Sequence, residues 1–531
     1  MCENYRSSVS INCSTRVGTR DEKRGLSCEL GPVEWQRFKG AGKEGEGSQM
    51  GYIKGNERGQ SVLFPSTVDE YIAENNAVRA MAAFLGRLDF VKLGFVRGRA
   101  AETGRPGYDP RLLMGLFLWG HLNGIRSSRK LEQECHRNLE VIWLCENLRP
   151  DFKTIADFRK GNGEGIKGVV VEFRLWCLAE GLYGKEIVAV DGSKFKAVNS
   201  KERNFTRGKL KQIIARERAK ISEYLEALEV ADAAEGEEVE LSAEQLKEKI
   251  AGLERYLAEH EELERELEAS GESQVSLTDP EAKMMKTARG SEVSYNVQTV
   301  VDSKHKLIAA YEVTNEGNDL GQLAVMARQA KQALGVEELT VLADGGYFEG
   351  NALKECEQSG ITTYLPLPKS GGAKRRGIFE RKQFRYDEER DLFVCPQGEE
   401  LRFRSMQNKS GKQFKLYKTK ACVSCPLRKQ CTTSKYGRKL ERWIDQEVID
   451  RLEARNRGRP ELLKQRKTLA EHPFGTIKRG MNQGFFLLKG ISKVTTETGL
   501  TVLSYNLKRV LNILGVEKMI SSMAQANPCS A

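Results

Sequence analysis

Two apolar, strand-like runs stop on an aspartate followed by glycine. In "EIVAVDGSKF" the run 187–190 ends at Asp191, and in "LTVLADGGYF" the run 339–343 ends at Asp344. Ligands of open α/β sheets bind in crevices beyond the carboxyl ends of the strands, so both acids are placed for a site. The plainer alternative is a turn aspartate, since Asp-Gly is a frequent turn pair. A third acid, Glu471, stands in the basic stretch "RKTLAEHPFGTIKRG". There it is either a surface counter-ion or a metal ligand beside a gripped polyanion. If strands 187–190 and 339–343 are neighbours, Asp191, Asp344 and Glu471 could hold two Mg²⁺ (or Mn²⁺) ions. Mg²⁺ takes few protein carboxylates and keeps positions for water and phosphate oxygens. Two such ions would activate an attacking oxygen and stabilise a leaving one. Arg466, Lys467, Lys478 and Arg479 would then meet the flanking phosphates of DNA. The seven-residue spacing puts Glu471 and Lys478 on one helical face.

A second constellation is cysteine. Cys395, Cys422, Cys425 and Cys431 form a C-x26-C-x2-C-x5-C pattern in "FVCPQGEELRFRS" and "KACVSCPLRKQC". Two strand-like hairpins with thiolates near their turns could hold tetrahedral Zn²⁺. The alternative is reduced, metal-free packing cysteines, the reading that also suits the scattered cysteines elsewhere in the chain.

The elements that must position these groups follow from periodicity. Residues 1–49 are glycine-rich, charged and aperiodic, and are expected to be a disordered extension; Met50 reads more like a domain start. Residues 50–184 carry apolar residues at helical spacing and read as an all-α N-terminal domain, either a DNA-binding unit or a plain bundle. From 185 to 516 the pattern becomes mixed. The strand ending at Asp191 is followed by two charged helical runs, 210–228 and 246–267, read as a helical hairpin inserted over 208–285. A hairpin of strands 295–301 and 307–313 comes next, then a helix over 321–334 and the strand ending at Asp344. A helix over 350–359, a strand over 361–367 and the cysteine-bearing insertion at 375–440 precede the helix with Glu471. This order of strand, hairpin, helix, strand and distant acidic helix is that of an RNase H-like catalytic domain, so the expected fold class is α/β. The cysteine segment reads as a zinc-ribbon-like insertion, and 517–531 as a disordered tail.

Charge adds the partner. The net charge is +11. Residues 374–480 hold 29 Lys+Arg against 14 Asp+Glu, a net of +15, which leaves 56 against 60, or −4, for the rest. A concentrated basic block favours phosphate backbones, although a solvated basic surface is the bland alternative. No run approaches the roughly 18 apolar residues of a membrane span, and the first 25 residues show no apolar signal core. A cytoplasmic location is expected. Among other residues, His472 beside Pro473 reads as a packing group, and Phe474, Phe485 and Phe486 as core before base-stacking.

At these residues the chain resembles the DDE transposases of bacterial insertion sequences, in the branch with a helical N-terminal domain and a cysteine-bearing insertion. The resemblance rests on "YDPRLLMGLFLWG", "VAVDGSKFKAVNSKERNFT", "SYNVQTVVDSKHKLIAAYEVTNEGND", "VLADGGYFEG", "CVSCPLRKQC", "EHPFGTIKRG" and "LSYNLKRVLNILG". It implies that Asp191, Asp344 and Glu471 are the metal-binding acids, with Mg²⁺ or Mn²⁺ as cofactor. It also implies double-stranded DNA as partner, both element ends and target, probed by a homodimer near the nucleoid. The family's last signature is Tyr-x2-Arg-x3-Glu-x6-Lys. Here Lys464 stands at the Tyr position and Lys467 at the Arg position, with Arg466 beside it, so the phosphate-contacting residue is either Arg466 or Lys467. A non-enzymatic DNA-binding protein and an inactive transposase remnant are the competing readings.

Overall fold

The computed structural model describes residues 67–96, 98, 107–233, 243–287, 290–368, 377–409 and 411–525. The expected extension at 1–49 and the start at Met50 lie outside the described residues. The first helices are α1 (Ala77–Gly86), α2 (Pro110–Leu122), α3 (Ser128–Arg137), α4 (Leu139–Leu144), α5 (Phe152–Gly161) and α6 (Gly163–Ala179). Their starts are chemically marked. Asp109 accepts a hydrogen bond from the Arg111 amide at 2.8 Å, with Pro110 in the first turn of α2. Asp151 takes the amides of Lys153 and Thr154, both at 2.9 Å, and so begins α5 at Phe152. Both arrangements satisfy amide groups that a helix start leaves without partners.

A mixed sheet follows. Strand β1 is Ile187–Lys196, and a short ribbon of β2 (Asn204–Thr206) and β3 (Gln274–Ser276) closes the base of a helical hairpin, α7 (Arg207–Ala233) and α8 (Ala243–Ser270). Leu210, Ile214, Leu246, Ile250 and Leu267 are buried between those helices, as their spacing predicts. The sheet continues with β4 (Lys283–Thr287), β5 (Gly290–Asp302), β6 (Ile308–Thr314), helix α9 (Gln322–Leu334), β7 (Leu339–Leu342), helix α10 (Gly350–Gln358) and β8 (Ile361–Tyr364). Its order is β4-β5-β1-β7-β8, with β6 also paired to β5. Strand β5 is antiparallel to β1 and β6, whereas β1, β7 and β8 run parallel. Residues 293–302 are buried without alternation, the pattern of a strand covered on both faces.

A second, antiparallel sheet holds β9 (Arg385–Asp387), β10 (Leu392–Val394), β11 (Glu400–Lys409), β12 (Lys412–Lys418) and β13 (Leu440–Trp443), in the order β13-β12-β11-β10-β9. Its core is Phe384, Phe393, Leu401, Tyr417 and Leu440. The insertion expected to end at 440 therefore keeps its last strand to Trp443. The short helix α11 (Arg428–Cys431), then α12 (Gln446–Gly458) and α13 (Pro460–Gly475), lead back to the first sheet.

Two expectations change here. The helices of 77–179 share one apolar core with the sheet, because α14 (Ile491–Leu514) lies between α2, α6 and β6 and is buried on almost every side. Where a structureless tail is expected from 517, α15 (Val516–Gln525) forms and packs on α1, burying Met519 and Met523. Its apolar residues recur at four-residue spacing, which suffices for a docked helix. Among the described residues, no helix is long and apolar enough to cross a membrane.

Candidate active site

Asp191 does not end its strand. Strand β1 runs on to Lys196, and Asp191 pairs with Thr299 of β5 in mid-ladder. Gly192 is therefore no turn residue. A Cβ there would run into the Gln298 amide and lie 2.6 Å from Asp319 Oδ1, so the position is glycine for space. Asp344 does lie just past its strand. Its side chain accepts from the Gly346 amide at 2.7 Å and caps a single 3₁₀ turn, Gly345–Tyr347. The parallel register pairs Ala189 with Leu342. Two residues further along both strands, Asp191 and Asp344 emerge side by side at the same edge of the sheet.

The setting is electrostatically unbalanced. Burial pushes the Asp191 carboxyl up to about 6; Arg466 draws it down, and Asp344 and Asp319 push it further up. Arg466 Nη1 is 4.0 Å from Asp191 Oδ1, and both side chains are 18% exposed, so the pair is only partly screened by solvent. The Tyr347 hydroxyl is held far above its usual range, first by burial and then by Asp319, Asp191 and Asp344. Perturbation by desolvation plus specific charged neighbours is the physical mark of a functional carboxylate.

Asp319, in the polar loop before α9, is the acid that sequence reasoning missed. Its Oδ1 accepts from Asn296 Nδ2 at 2.9 Å and Gln298 Nε2 at 2.7 Å, and Lys194 Nζ is 3.6 Å from its Oδ2. No signal in the sequence singled it out: Asn296 and Gln298 are fully buried in β5, but Ser294 and Thr299 share that buried run.

Glu471 is placed differently. It is exposed on α13, a helix whose Leu462, Leu469 and Ala470 pack on Ala189 and Leu342. Arg466 points to Asp191; at 100° per residue, Glu471 stands about 140° round the axis from it. Among the described residues, no three His, Cys, Asp or Glu side chains form a group that could hold a metal ion. The two aspartates converge; the glutamate stays on the flank of the neighbouring helix.

The cations divide as well. Arg466 is half-buried at the acids, whereas Lys467 and Arg479 are exposed. Lys478 Nζ donates to Ser193 Oγ at 2.7 Å and to the Lys194 carbonyl at 2.9 Å, and lies 4.5 Å from the Phe195 ring centroid. Helix α13 does not carry an α-helical phase through to Lys478. Pro473 stands inside it, and a π-helical turn, Thr476–Gly480, follows. A proline inside a helix removes one hydrogen-bond donor, and a π turn shifts the facing of what comes after. His472 Nδ1 is 2.9 Å from the Tyr505 hydroxyl, in keeping with a packing role. Phe474 and Phe486 are buried and Phe485 is exposed.

The four cysteines belong to the segment that builds the second sheet, and among the described residues they form no metal-holding group of three or more. Cys395 sits at the β10–β11 turn, where the Gly398 amide donates to its carbonyl at 2.8 Å. Cys422, Cys425 and Cys431 lie on the connection from β12 to β13. All four are half-buried free thiols. Burial raises the Cys431 thiol; Arg438 lowers it, and Cys422, Cys395 and Cys425 raise it again, so the four are electrostatic neighbours.

Residues 394–511 match the family described as Transposase DDE domain, and residues 66–161 match the family described as Transposase domain (DUF772). The first match spans the four cysteines and Glu471; Asp191 and Asp344 lie before it. No curated protein and no solved structure matches the chain.

Proposed function

Because the chain belongs to the DDE transposases of bacterial insertion sequences, we propose that it binds the terminal inverted repeats of its own element, cuts the DNA at the ends, and joins the freed 3′ ends to target DNA. The observation that carries this reading is the register of β1 and β7, which sets Asp191 beside Asp344 at one sheet edge with too little positive charge around them. The order β6-β5-β1-β7-β8, with β5 alone reversed, supports an RNase H-like catalytic domain.

Two adjacent, partly buried carboxylates suit a divalent cation, whose charge relieves their repulsion. Asp191 and Asp344 would hold Mg²⁺ or Mn²⁺, and Glu471 would join them only after a turn of α13 that brings its exposed flank to the sheet. When bound, a pair of such ions supplies activation of the attacking oxygen and stabilisation of the leaving one. The protein's own side chains do the positioning. Arg466 holds a guanidinium at the edge of the acids, where a phosphate oxygen would replace Asp191 as its partner. Its planar fork suits that exchange better than an ammonium, which favours Arg466 over Lys467 as the inner phosphate contact. Lys467 and Arg479 serve the flanking backbone from the exposed face. Lys478 contributes from its anchor on Ser193, beside the strand that carries Asp191. The four cysteines would hold a structural Zn²⁺ that pins the β12–β13 connection to the β10–β11 turn. Work on two DNA ends calls for a homodimer, acting in the cytoplasm at the nucleoid.

The test is a gel. DNA bearing the element's own ends is incubated with the purified protein, with Mg²⁺ or with chelator. Cleavage at the ends that requires Mg²⁺ is expected. Binding with no strand breakage under either condition would replace the enzyme with a DNA-binding protein or a remnant.

A further inference from the structure

Asp344 is poorly held by the sheet. The ladder of β7 ends just before it, where the Ala343 amide donates to the Tyr364 carbonyl at 3.0 Å. Two exposed glycines, Gly345 and Gly346, then leave the turn with wide backbone freedom. What fixes the turn is its last residue. Tyr347 is fully buried, and its hydroxyl donates to Gln298 Oε1. Gln298 belongs to β5 and faces Gly192 across the β1–β5 ladder. With the order β5-β1-β7, the tyrosine therefore reaches from the end of β7 past β1 to the strand on the far side. Gly192 leaves the room, since a Cβ there would collide with the Gln298 amide. Gln298 then passes the restraint on, donating through Nε2 to Asp319 Oδ1 at 2.7 Å. A buried glutamine is costly unless both ends of its amide are satisfied, and here they are.

We propose that Gln298, with Tyr347 and Asp319, is the positioning relay of the acidic site. It bolts the Asp344 turn across β1 and sets the separation of Asp344 from Asp191. The proposal rests on the metal-binding reading given above. Outer partners that orient metal ligands change metal affinity when removed, typically by tenfold or more.

Tyr347→Phe keeps the buried ring and deletes one hydroxyl; Gln298→Met keeps the volume and deletes both bonds. Mn²⁺ affinity is measured by the electron paramagnetic resonance of free ion, beside thermal unfolding and the Mg²⁺ dependence of end cleavage. Tyr347→Phe is expected to weaken Mn²⁺ binding about tenfold and to move cleavage to higher Mg²⁺, with the rate at saturating Mg²⁺ largely kept. Gln298→Met is expected to lose more, and if it fails to fold, Tyr347→Phe decides alone. Wild-type Mn²⁺ affinity in the folded variants overturns the relay, even if their unfolding temperatures fall. A wild-type protein that takes up Mn²⁺ but leaves DNA whole overturns the proposed function and leaves the relay to be judged by affinity. A wild-type protein that takes up no Mn²⁺ overturns both.

Discussion

Glu497 and Asp191 are both carboxylates taken out of water, and the chain treats them in opposite ways. Glu497 is fully buried, and Arg126, 4% exposed, answers it at 3.0 Å. The amides of Leu487 and Leu488 donate to the same carboxylate at 3.0 and 3.1 Å. Arg126 Nη1 also donates to the Phe485 carbonyl at 2.8 Å, and its guanidinium lies 4.8 Å from the Phe485 ring centroid. Nothing there is left over. This closed pair ties the loop after Lys478 to the helical block, and it holds that loop where the Phe486 amide meets the Lys196 carbonyl at 2.8 Å, at the end of β1. Asp191 has one backbone donor, Gly192 at 3.0 Å, a guanidinium at 4.0 Å, and two further carboxylates as neighbours. A satisfied charge centre joins parts of a fold; an unsatisfied one costs stability and is kept for what it can bind.

The comparison is broken most severely at the closed pair. Glu497→Ala leaves the Arg126 charge buried and unpaired, at a cost of about 3–5 kcal/mol, read as a large fall in the unfolding midpoint or loss of folded protein. The equivalent change at the open site goes the other way. Asp191→Asn removes a charge that burial disfavours by more than Arg466 compensates, so its unfolding temperature is expected to match or exceed that of the wild type near pH 7. The pH dependence carries the same sign. An acid raised from 3.8 to about 6 binds its proton more tightly in the folded protein. Its contribution to stability is full below pH 3.8 and is lost as pH rises through about 6. The gap between Asp191→Asn and wild type should therefore widen over that window in thermal unfolding at low salt.

Smaller effects sharpen the contrast at the rim. Arg466→Ala is expected to weaken DNA binding and lower the slope of log affinity against log salt by about one contact. Lys467→Ala, exposed and farther from the acids, should change both less; equal effects in binding titrations would remove the distinction. A third centre, the cysteines, would gain stability from what it binds. Metal analysis should find zinc equimolar with protein, and Cys425→Ser should lose it and admit protease between β12 and β13.

Much of this was legible in the chain. The strands and helices from 290 to 364 fall within a few residues of their expected bounds, because the apolar runs there are long and separated by turn residues. The convergence of Asp191 with Asp344 was expected only if their strands were neighbours, which the parallel register of β1 and β7 makes them. What misled was the glycine at 192: Asp-Gly reads as a strand terminator, whereas Gly192 makes room in mid-strand for a neighbour's amide. Asp319 was hidden because its loop, "NEGND", has the composition of any solvated turn, and only tertiary pairing with β5 brings it to the site. The choice between Arg466 and Lys467 depends on helix phase against Leu462, Leu469 and Ala470, which the buried face of α13 makes clear. The position of Lys478 depends on the break at Pro473 and the π turn, for which spacing rules have no provision.

The most direct measurement is Mg²⁺-dependent cleavage of DNA carrying the element's ends, by wild type, Asp191→Asn and Asp344→Asn at equal folded fraction. Cutting by the wild type alone, with both variants folded and still binding DNA, is the predicted result. Full cleavage by either variant would contradict the account, since the paired aspartates would then not be the centre of the chemistry.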